Sequence, residues 1–161
     1  MLEGDLKPKE TDAGRRAEET VRPFAQTLSD HDLKLERACT QTLQVNLGLL
    51  CNQVCKHCHL DAGPARREIM PPETAGQIIA YAKRCHFNVI DMTGGAPELN
   101  PSIEDLIESL APLTERLMLR SNLSVLNDGK HDPLMDLLKR HRVVVFASFP
   151  SLNSSQTESQ R

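Results

Sequence analysis

The stretch "LQVNLGLLCNQVCKHC" (residues 43–58) joins a short apolar run to three closely spaced cysteines. Residues 43–50 have the length and the Val and Leu content of a buried β-strand, which we expect to end at Cys51. Cys51, Cys55 and Cys58 then follow with the spacing C-x3-C-x2-C. The sequence therefore predicts a loop that carries three thiols directly after a strand.

Downstream of this loop, helical and extended patterns alternate. Apolar residues with helical spacing predict helices at 72–84, from about 100 and at 133–140, with Asn100 capping the second and Asp132 the third. Short apolar runs predict strands at 88–92, 116–120 and 143–147, and a polar tail follows. This alternation is typical of right-handed βαβ units and a parallel sheet. We therefore expect an α/β fold with four parallel strands, a partial (β/α) TIM-type barrel.

The N-terminal region differs from the rest in composition. Residues 1–22 are polar and charged and are predicted to form a flexible extension, while residues 23–161 are predicted to be the N-terminal part of a larger core domain. The extension has no apolar segment of the kind that directs secretion. No apolar run reaches the roughly 18 residues that span a bilayer. We therefore expect a cytoplasmic protein with no membrane partner.

The charge balance argues against nucleic acid as a partner. The chain has 19 Lys and Arg residues against 22 Asp and Glu residues, a net charge of −3. Nucleic-acid-binding domains usually carry a basic patch, and single-strand binders add aromatic stacking platforms. Aromatic residues make up only 3% of this chain. The composition predicts neither kind of surface.

Three kinds of site could use the cysteine group. Residues 55–59 match the C-x-x-C-H haem-attachment pattern, but that attachment belongs to exported proteins and leaves Cys51 unexplained. A structural zinc could take the three thiolates together with His59 or His86, although zinc ligands usually come as two separated pairs. A [4Fe–4S] cluster could take one thiolate on each of three irons and leave the fourth iron open. The spacing favours the cluster, and a non-catalytic zinc-binding module remains the alternative of another class.

The spacing of Cys51, Cys55 and Cys58 after a first strand resembles the cluster motif of radical SAM enzymes. The resemblance implies that the open iron chelates S-adenosylmethionine (SAM), and that an electron from the cluster cleaves SAM to methionine and a 5′-deoxyadenosyl radical. His57 precedes the third cysteine, where the family often has an aromatic residue, and we include His57 among the cofactor-binding candidates.

Further cofactor-binding residues follow from the same resemblance. The segment "DMTGGAPEL" (91–99) stands where the family has a Gly-Gly-Glu-type motif that contacts the methionyl amine, so Gly94, Gly95 and Glu98 are candidates. Asn122 and Ser148, after the third and fourth strands, are candidates for contacting the ribose or carboxylate of SAM. In β/α barrels the loops at the carboxyl ends of the strands share one rim. All these residues are therefore expected on the rim that carries the cysteines.

The segments at 43–70, 91–101, 119–126 and 143–150 together resemble the arsenosugar-biosynthesis radical SAM enzymes (ArsS). The resemblance implies that the radical adds to the arsenic of a dimethylated arsenical such as dimethylarsenite, with a reductant such as flavodoxin or ferredoxin. A radical SAM enzyme acting on another small molecule or a peptide is the alternative. Two departures stand out: Ser151 replaces a cysteine typical of that group, and members of the group continue beyond Arg161. We therefore expect an N-terminal fragment, whose activity in isolation is in question.

Other residues carry weaker predictions. Cys39 and Cys85 are predicted to be small buried side chains. His59 and Asp61 could tune the metal centre through hydrogen bonds or could simply stabilise their own loop. Arg120, at the end of a strand, could face the substrate or lie on the surface.

Overall fold

The computed structural model describes residues 22–160 except residues 128, 130 and 150. The described residues divide into two compact units, one within residues 22–38 and one within residues 39–160. The first unit contains helix α1 (Phe24–Asp30), in a region where the sequence pattern made no prediction. The predicted flexible extension lies outside the described residues, apart from its last residue.

The second unit is an α/β structure built on one parallel sheet. Its strands are β1 (Thr42–Asn46), β2 (Phe87–Thr93), β3 (Thr114–Ser121) and β4 (Val144–Ala147), and they pair in the order β1-β2-β3-β4. The connections contain α2 (Pro72–Arg84), α3 (Ile103–Leu110) and α4 (Asp132–Arg140), and α5 (Ser154–Gln160) follows β4. All three strand pairs are parallel. The predicted α/β fold, with four parallel strands and intervening helices, is confirmed.

The main core lies on one face of the sheet. Alternate residues of a strand point to opposite faces, and the apolar ones pack with the helices. Ile90, Met92 and Leu119 are fully buried there, together with Leu106 and Leu110 of α3. At about 25 cal/mol per Å², this apolar burial is the main term that stabilises the unit. The opposite face carries polar residues toward the carboxyl ends of the strands, as described below.

The first strand is shorter than predicted. β1 ends at Asn46 rather than at Cys51, because Gly48 takes a φ of +132° and the chain leaves the sheet. A Cβ at Gly48 would lie 2.4 Å from the carbonyl oxygen of Glu68. Residues 47–50 are apolar because the loop packs inward, as Leu47 shows with 2% exposure, and not because they extend the strand.

The start of α3 also differs from the prediction. The helix begins at Ile103 after Ser102, so Asn100 is not its cap. The Asn100 amide instead donates to the backbone carbonyls of Leu47 and Met70, at 2.9 and 3.1 Å. This buried side chain ties the loop after β1 to the loop before α2. Tertiary acceptors therefore outweigh the local capping preference.

Smaller differences between prediction and structure concern α4, the region after β4 and two cysteines. Helix α4 includes Asp132, which was predicted as its cap, and the residue before it takes the cap position. The region predicted as a polar tail contains α5. Cys39 is exposed, so its predicted burial is wrong, whereas Cys85 is half-buried and packs against the core. None of the helices in the described part of the chain has the length and apolarity needed to cross a membrane.

Candidate functional site

The carboxyl ends of the four strands surround a cavity of about 720 Å³. Its walls come from the cysteine loop after β1, from the loop after β2, and from the ends of β3 and β4. Pockets of roughly 300–1,000 Å³ hold small ligands and cofactors. The structure brings these predicted residues to the cavity wall: Cys51, Cys55, His57, Cys58, Gly94, Gly95, Asn122 and Ser148.

The cysteine loop folds back on itself beside the cavity. The Cys51 amide donates to the Gly63 carbonyl at 3.2 Å, and the Cys58 amide donates to the Cys55 carbonyl at 3.0 Å. The Cys58 sulfur accepts a hydrogen bond from the Ala62 amide at 3.4 Å. Cys51 is buried, while Cys55 and Cys58 are half-buried. The loop therefore presents three thiols toward one cavity and already supplies an amide donor to one of the sulfurs.

The donor set fits an iron–sulfur cluster. Within the described ranges, no three Cys, His, Asp or Glu side chains converge on a position that could hold one metal ion. A [4Fe–4S] cluster does not require such convergence, because each thiolate binds a different iron. Three thiols on one loop, at the wall of a cavity with room for a further ligand, satisfy this chemistry.

Asn122 contacts the cysteine loop directly. Its amide nitrogen lies 3.7 Å from the Cys51 sulfur and 3.0 Å from Asn52 Oδ1. Its amide oxygen accepts from the Ser124 backbone amide at 2.9 Å, which fixes the orientation of the side chain. Ser124 Oγ in turn accepts hydrogen bonds from Asn52 and Gln53. The end of β3 is thus bound to the cysteine loop through a polar network that sequence reasoning did not predict.

The two glycines after β2 have a packing role in addition to lining the cavity. The Gly95 amide donates to the Gly48 carbonyl at 2.9 Å, and the Ala96 amide donates to the Leu50 carbonyl at 2.9 Å. A Cβ added at Gly95 would lie 2.4 Å from the Leu50 carbonyl oxygen, and one at Gly94 would lie 2.8 Å from the Gly48 oxygen. Glycine is needed here because the loop after β2 packs directly on the backbone that leads into Cys51.

Glu98 lies apart from the cavity wall. Its side chain is buried, and one carboxylate oxygen accepts a hydrogen bond from Ser121 Oγ. The same hydroxyl oxygen accepts a hydrogen bond from the Leu123 amide at 2.9 Å, where the chain turns out of β3 with a positive φ of 65° at Leu123. The second carboxylate oxygen has no hydrogen-bond partner within the described part of the chain. Glu98 therefore holds Ser121, and Ser121 reaches the cavity.

His57, His59 and Ser148 are exposed residues of the cavity wall. Ser148 is held through its backbone, because its amide donates to the Ser121 carbonyl at 2.7 Å. Asp61 is exposed with a φ of 50°, and its carbonyl accepts from Arg66, so it stabilises the loop rather than lining the cavity.

A row of contacts crosses the open face of the sheet, and sequence reasoning identified only one of its members. Asp91 accepts hydrogen bonds from Arg120 Nε and Nη2 at 3.0 and 2.8 Å, and from Gln44 Nε2 at 2.9 Å. Arg120 lies over the ring of Phe146, with its guanidinium carbon 5.5 Å from the ring centroid. The hydrogen bond from Arg120 holds the pKa of the Asp91 carboxyl below its ordinary value against the opposing effect of burial. The sequence did contain a signal for this row, because Gln44, Asp91 and Arg120 are polar residues within otherwise apolar strands.

The fold and the site together define a class of protein. Its members have a parallel α/β sheet, and a loop with three cysteines lies beside a cofactor-sized cavity at the carboxyl ends of the strands. The model of the radical SAM superfamily matches residues 45–155, about two thirds of the chain. The chain belongs to the radical SAM superfamily. This family uses a [4Fe–4S] cluster and SAM.

Similar proteins agree with this placement. A "Probable GTP 3',8-cyclase" of Thermoplasma volcanium is 26% identical over 94 residues, which cover 58% of this chain and 27% of that protein. A protein of the same description from Pyrococcus horikoshii is 30% identical over 80 residues, covering 50% and 26%. The chain thus spans about a quarter of the length of these relatives.

Among solved structures, SuiB of Streptococcus suis bound to the precursor peptide SuiA shares the fold. Its TM-score is 0.60 at 18% identity, over 81% of this chain and 28% of SuiB. At this identity the similarity concerns the fold alone, and it supports the parallel sheet as part of a larger architecture.

Proposed function

We propose that this protein is a radical SAM enzyme in which Cys51, Cys55 and Cys58 hold a [4Fe–4S] cluster and SAM binds in the adjacent cavity. The observation that carries the proposal is the placement of all three thiols at a cavity of about 720 Å³, formed by the ends of four parallel strands. When bound, the cluster supplies the electron that cleaves SAM to methionine and a 5′-deoxyadenosyl radical.

The surrounding residues have distinct roles in this proposal. Gly94 and Gly95 allow close approach, so that the loop after β2 supports the cysteine loop and leaves room for the methionyl group. Asn122 orients Cys51 and lines the cavity, and Ser148 presents a hydroxyl from the end of β4. Glu98 acts through Ser121 rather than by direct contact with the cofactor.

For the second substrate we propose a dimethylated arsenical such as dimethylarsenite, which would receive the deoxyadenosyl group. The support is the resemblance of residues 43–70, 91–101, 119–126 and 143–150 to arsenosugar-biosynthesis enzymes. Ser151 weakens this candidate, because a hydroxyl is a poor ligand for a soft arsenic centre. A nucleotide is a second candidate, favoured by the similarity to proteins described as GTP 3',8-cyclases. A cytoplasmic location and a flavodoxin or ferredoxin reductant complete the proposal.

Anaerobic reconstitution with iron and sulfide, followed by EPR of the dithionite-reduced protein, tests the cofactor part. A reduced [4Fe–4S] signal that changes when SAM is added is the expected result. Substitution of Cys51, Cys55 or Cys58 by Ser should abolish the signal, whereas Cys39→Ser should leave it intact because Cys39 is exposed and outside the motif. Zinc bound by the three cysteines with no cluster formed would overturn the proposal.

The substrate part has its own assay. SAM cleavage by the reconstituted protein is measured with dimethylarsenite, with GTP and with neither, and the products are identified by mass spectrometry. An adenosylated arsenical supports the first candidate, and a product derived from GTP supports the second. Cleavage to free 5′-deoxyadenosine alone, unchanged by either compound, would reject both substrates while leaving the radical SAM assignment in place.

A further inference from the structure

The row formed by Gln44, Asp91, Arg120 and Phe146 crosses all four strands of the sheet. Strand register explains it: Gln44 pairs with Asp91 between β1 and β2, and Arg120 pairs with Phe146 between β3 and β4. Two members of the row, Gln44 on β1 and Arg120 on β3, line the cavity beside the cysteine loop. The side chains of Gln44 and Arg120 therefore form part of the cavity wall, and Asp91 and Phe146 support Arg120 from outside it.

Within this row the guanidinium of Arg120 has a fixed orientation, but not all of its N–H donors are used in hydrogen bonds. Its Nε and one Nη2 hydrogen face Asp91, and the Phe146 ring covers one face of the guanidinium plane. Among the described residues no hydrogen bond from Nη1 occurs. The Asp91 side chain is only 6% exposed, whereas the Arg120 side chain is 43% exposed. Asp91 thus fixes the direction of a cation that keeps donors facing the cavity.

The charges around the cavity favour an anion. Arg120, whose guanidinium is permanently charged, lies on its wall, and no carboxylate among the described residues lines the cavity. Asp91 neutralises part of the guanidinium charge from beneath, but it does not occupy the cavity side. A guanidinium presents paired N–H donors that match the two oxygens of a carboxylate or phosphate.

We propose that Arg120, held by Asp91 and stacked on Phe146, is the anchor for a carboxylate or phosphate group of a ligand that enters this cavity. The inference rests on the proposed function, since the ligand shares the cavity with the cluster site. Two sources have this chemistry, the carboxylate of SAM and an anionic group on the second substrate. Asp91 is a positioning residue, because it acts through Arg120.

NMR of the Arg120 side chain tests this proposal directly. The Nε–Hε resonance of Arg120 is assigned in ¹⁵N-labelled, reconstituted protein as the arginine signal that disappears in Arg120→Lys. Inorganic phosphate, and in a separate experiment acetate, is then titrated at constant ionic strength. Arg116→Gln is the matched control, because Arg116 lies on the same strand, is exposed and does not line the cavity.

A saturable shift of the Arg120 resonance, with a dissociation constant unchanged in Arg116→Gln, is the expected result. Arg120→Lys keeps the positive charge but loses the paired donors, so phosphate binding, followed through backbone amides of the cavity wall, should weaken at least tenfold. A linear, unsaturated shift in the wild-type protein would overturn the proposal, and this readout does not depend on the folding of any variant. Equal binding in the wild type and Arg120→Lys would also overturn it.

Saturating SAM distinguishes the two sources. If SAM abolishes the phosphate-induced shift and shifts the Arg120 resonance itself, the anchored group is the SAM carboxylate. If phosphate still binds with SAM present, the anchor belongs to the second substrate. Phosphate binding requires no SAM cleavage, so a failure of the proposed function would show in the EPR and cleavage assays and not in this titration.

Discussion

Gly95 packs directly on the backbone that leads into Cys51, which makes Gly95→Ala an informative perturbation. The added Cβ would lie 2.4 Å from the Leu50 oxygen, 2.8 Å from the Leu50 carbonyl carbon and 2.9 Å from the Leu49 oxygen. All three are backbone atoms, so no side-chain rotation can relieve the contact. The cysteine loop must therefore move away from the loop after β2.

The magnitude follows from two contributions. Overpacking in a well-packed region costs about 1–3 kcal/mol. The displacement also weakens two hydrogen bonds, from Gly95 N to the Gly48 oxygen and from Ala96 N to the Leu50 oxygen, each contributing about 0.5–1.5 kcal/mol. We expect the free energy of unfolding to fall by about 2–6 kcal/mol, the upper end applying if both hydrogen bonds are lost. Because the loop that moves carries Cys51, the iron bound per chain after reconstitution should fall as well.

The assay is urea denaturation of the apoprotein, followed by iron and sulfide analysis after reconstitution. Gly76→Ala is the matched control, because a Cβ at Gly76 meets nothing within 4 Å and the residue lies within α2. Alanine replaces glycine in a helix with a gain of about 0.5–1 kcal/mol, so this control should be slightly more stable than the wild type. If Gly95→Ala kept wild-type stability and full iron content, the inferred support of the cysteine loop by the glycine pair would be refuted.

Three further changes probe the polar contacts around the site. Ser121→Ala should lower the free energy of unfolding by about 1–3 kcal/mol in urea titrations, because buried Glu98 loses its hydrogen-bond donor; an unchanged midpoint would contradict this. Asp91→Asn should cost a similar amount, about 1–3 kcal/mol at pH 7. The folded pKa of Asp91 lies below its ordinary value of 3.8, so its contribution to the free energy of unfolding is present above 3.8 and is lost as the pH falls through the folded pKa. The stabilities of the variant and the wild type, plotted against pH, should therefore converge in acid and not in base. The Glu68 carboxyl, whose pKa Arg66 lowers to about 2, should titrate near that value by NMR and return toward 4.5 in Arg66→Gln; equal titration in both proteins would exclude the ion pair in solution.

The sequence predicted those parts of the fold that depend on local periodicity. The bounds of α2 agree with the prediction because Pro72 and the apolar spacing are local signals. β1 was predicted too long because residues 47–50 are apolar for a tertiary reason, the burial of a loop. The cap at Asn100 failed for a similar reason, since its amide binds the Leu47 and Met70 carbonyls, which are distant in sequence.

The cysteines and the glycine pair of the candidate site were also identified from the sequence, because closely spaced soft ligands and Gly-Gly after a strand are short-range patterns. The residues that contact one another around the site were not identified from the sequence. That Asp91 lies beside Gln44, and Arg120 beside Phe146, depends on the register between residues 47 and 26 positions apart in the sequence. Register is fixed by the packing of whole elements and cannot be read from one segment.

The polar row also has a cost in folding stability, and this cost bears on the role of the row. A buried carboxylate and its paired cation could be replaced by apolar residues of similar volume with little loss, and often with a gain, in stability. Val89, two residues before Asp91 on β2, and Met118, which pairs with Asp91 on β3, show that this face of the sheet accepts apolar side chains, whereas Asp91 and Arg120 stand toward the carboxyl ends. Apolar side chains could replace both partners of this ion pair without loss of stability, and the pair stands where the strands meet the cavity. Such departures from regular packing are expected at functional sites. On this reasoning the apolar face of the sheet stabilises the unit, while the position of the Gln44–Asp91–Arg120–Phe146 row agrees with the proposed role of Arg120 in ligand binding.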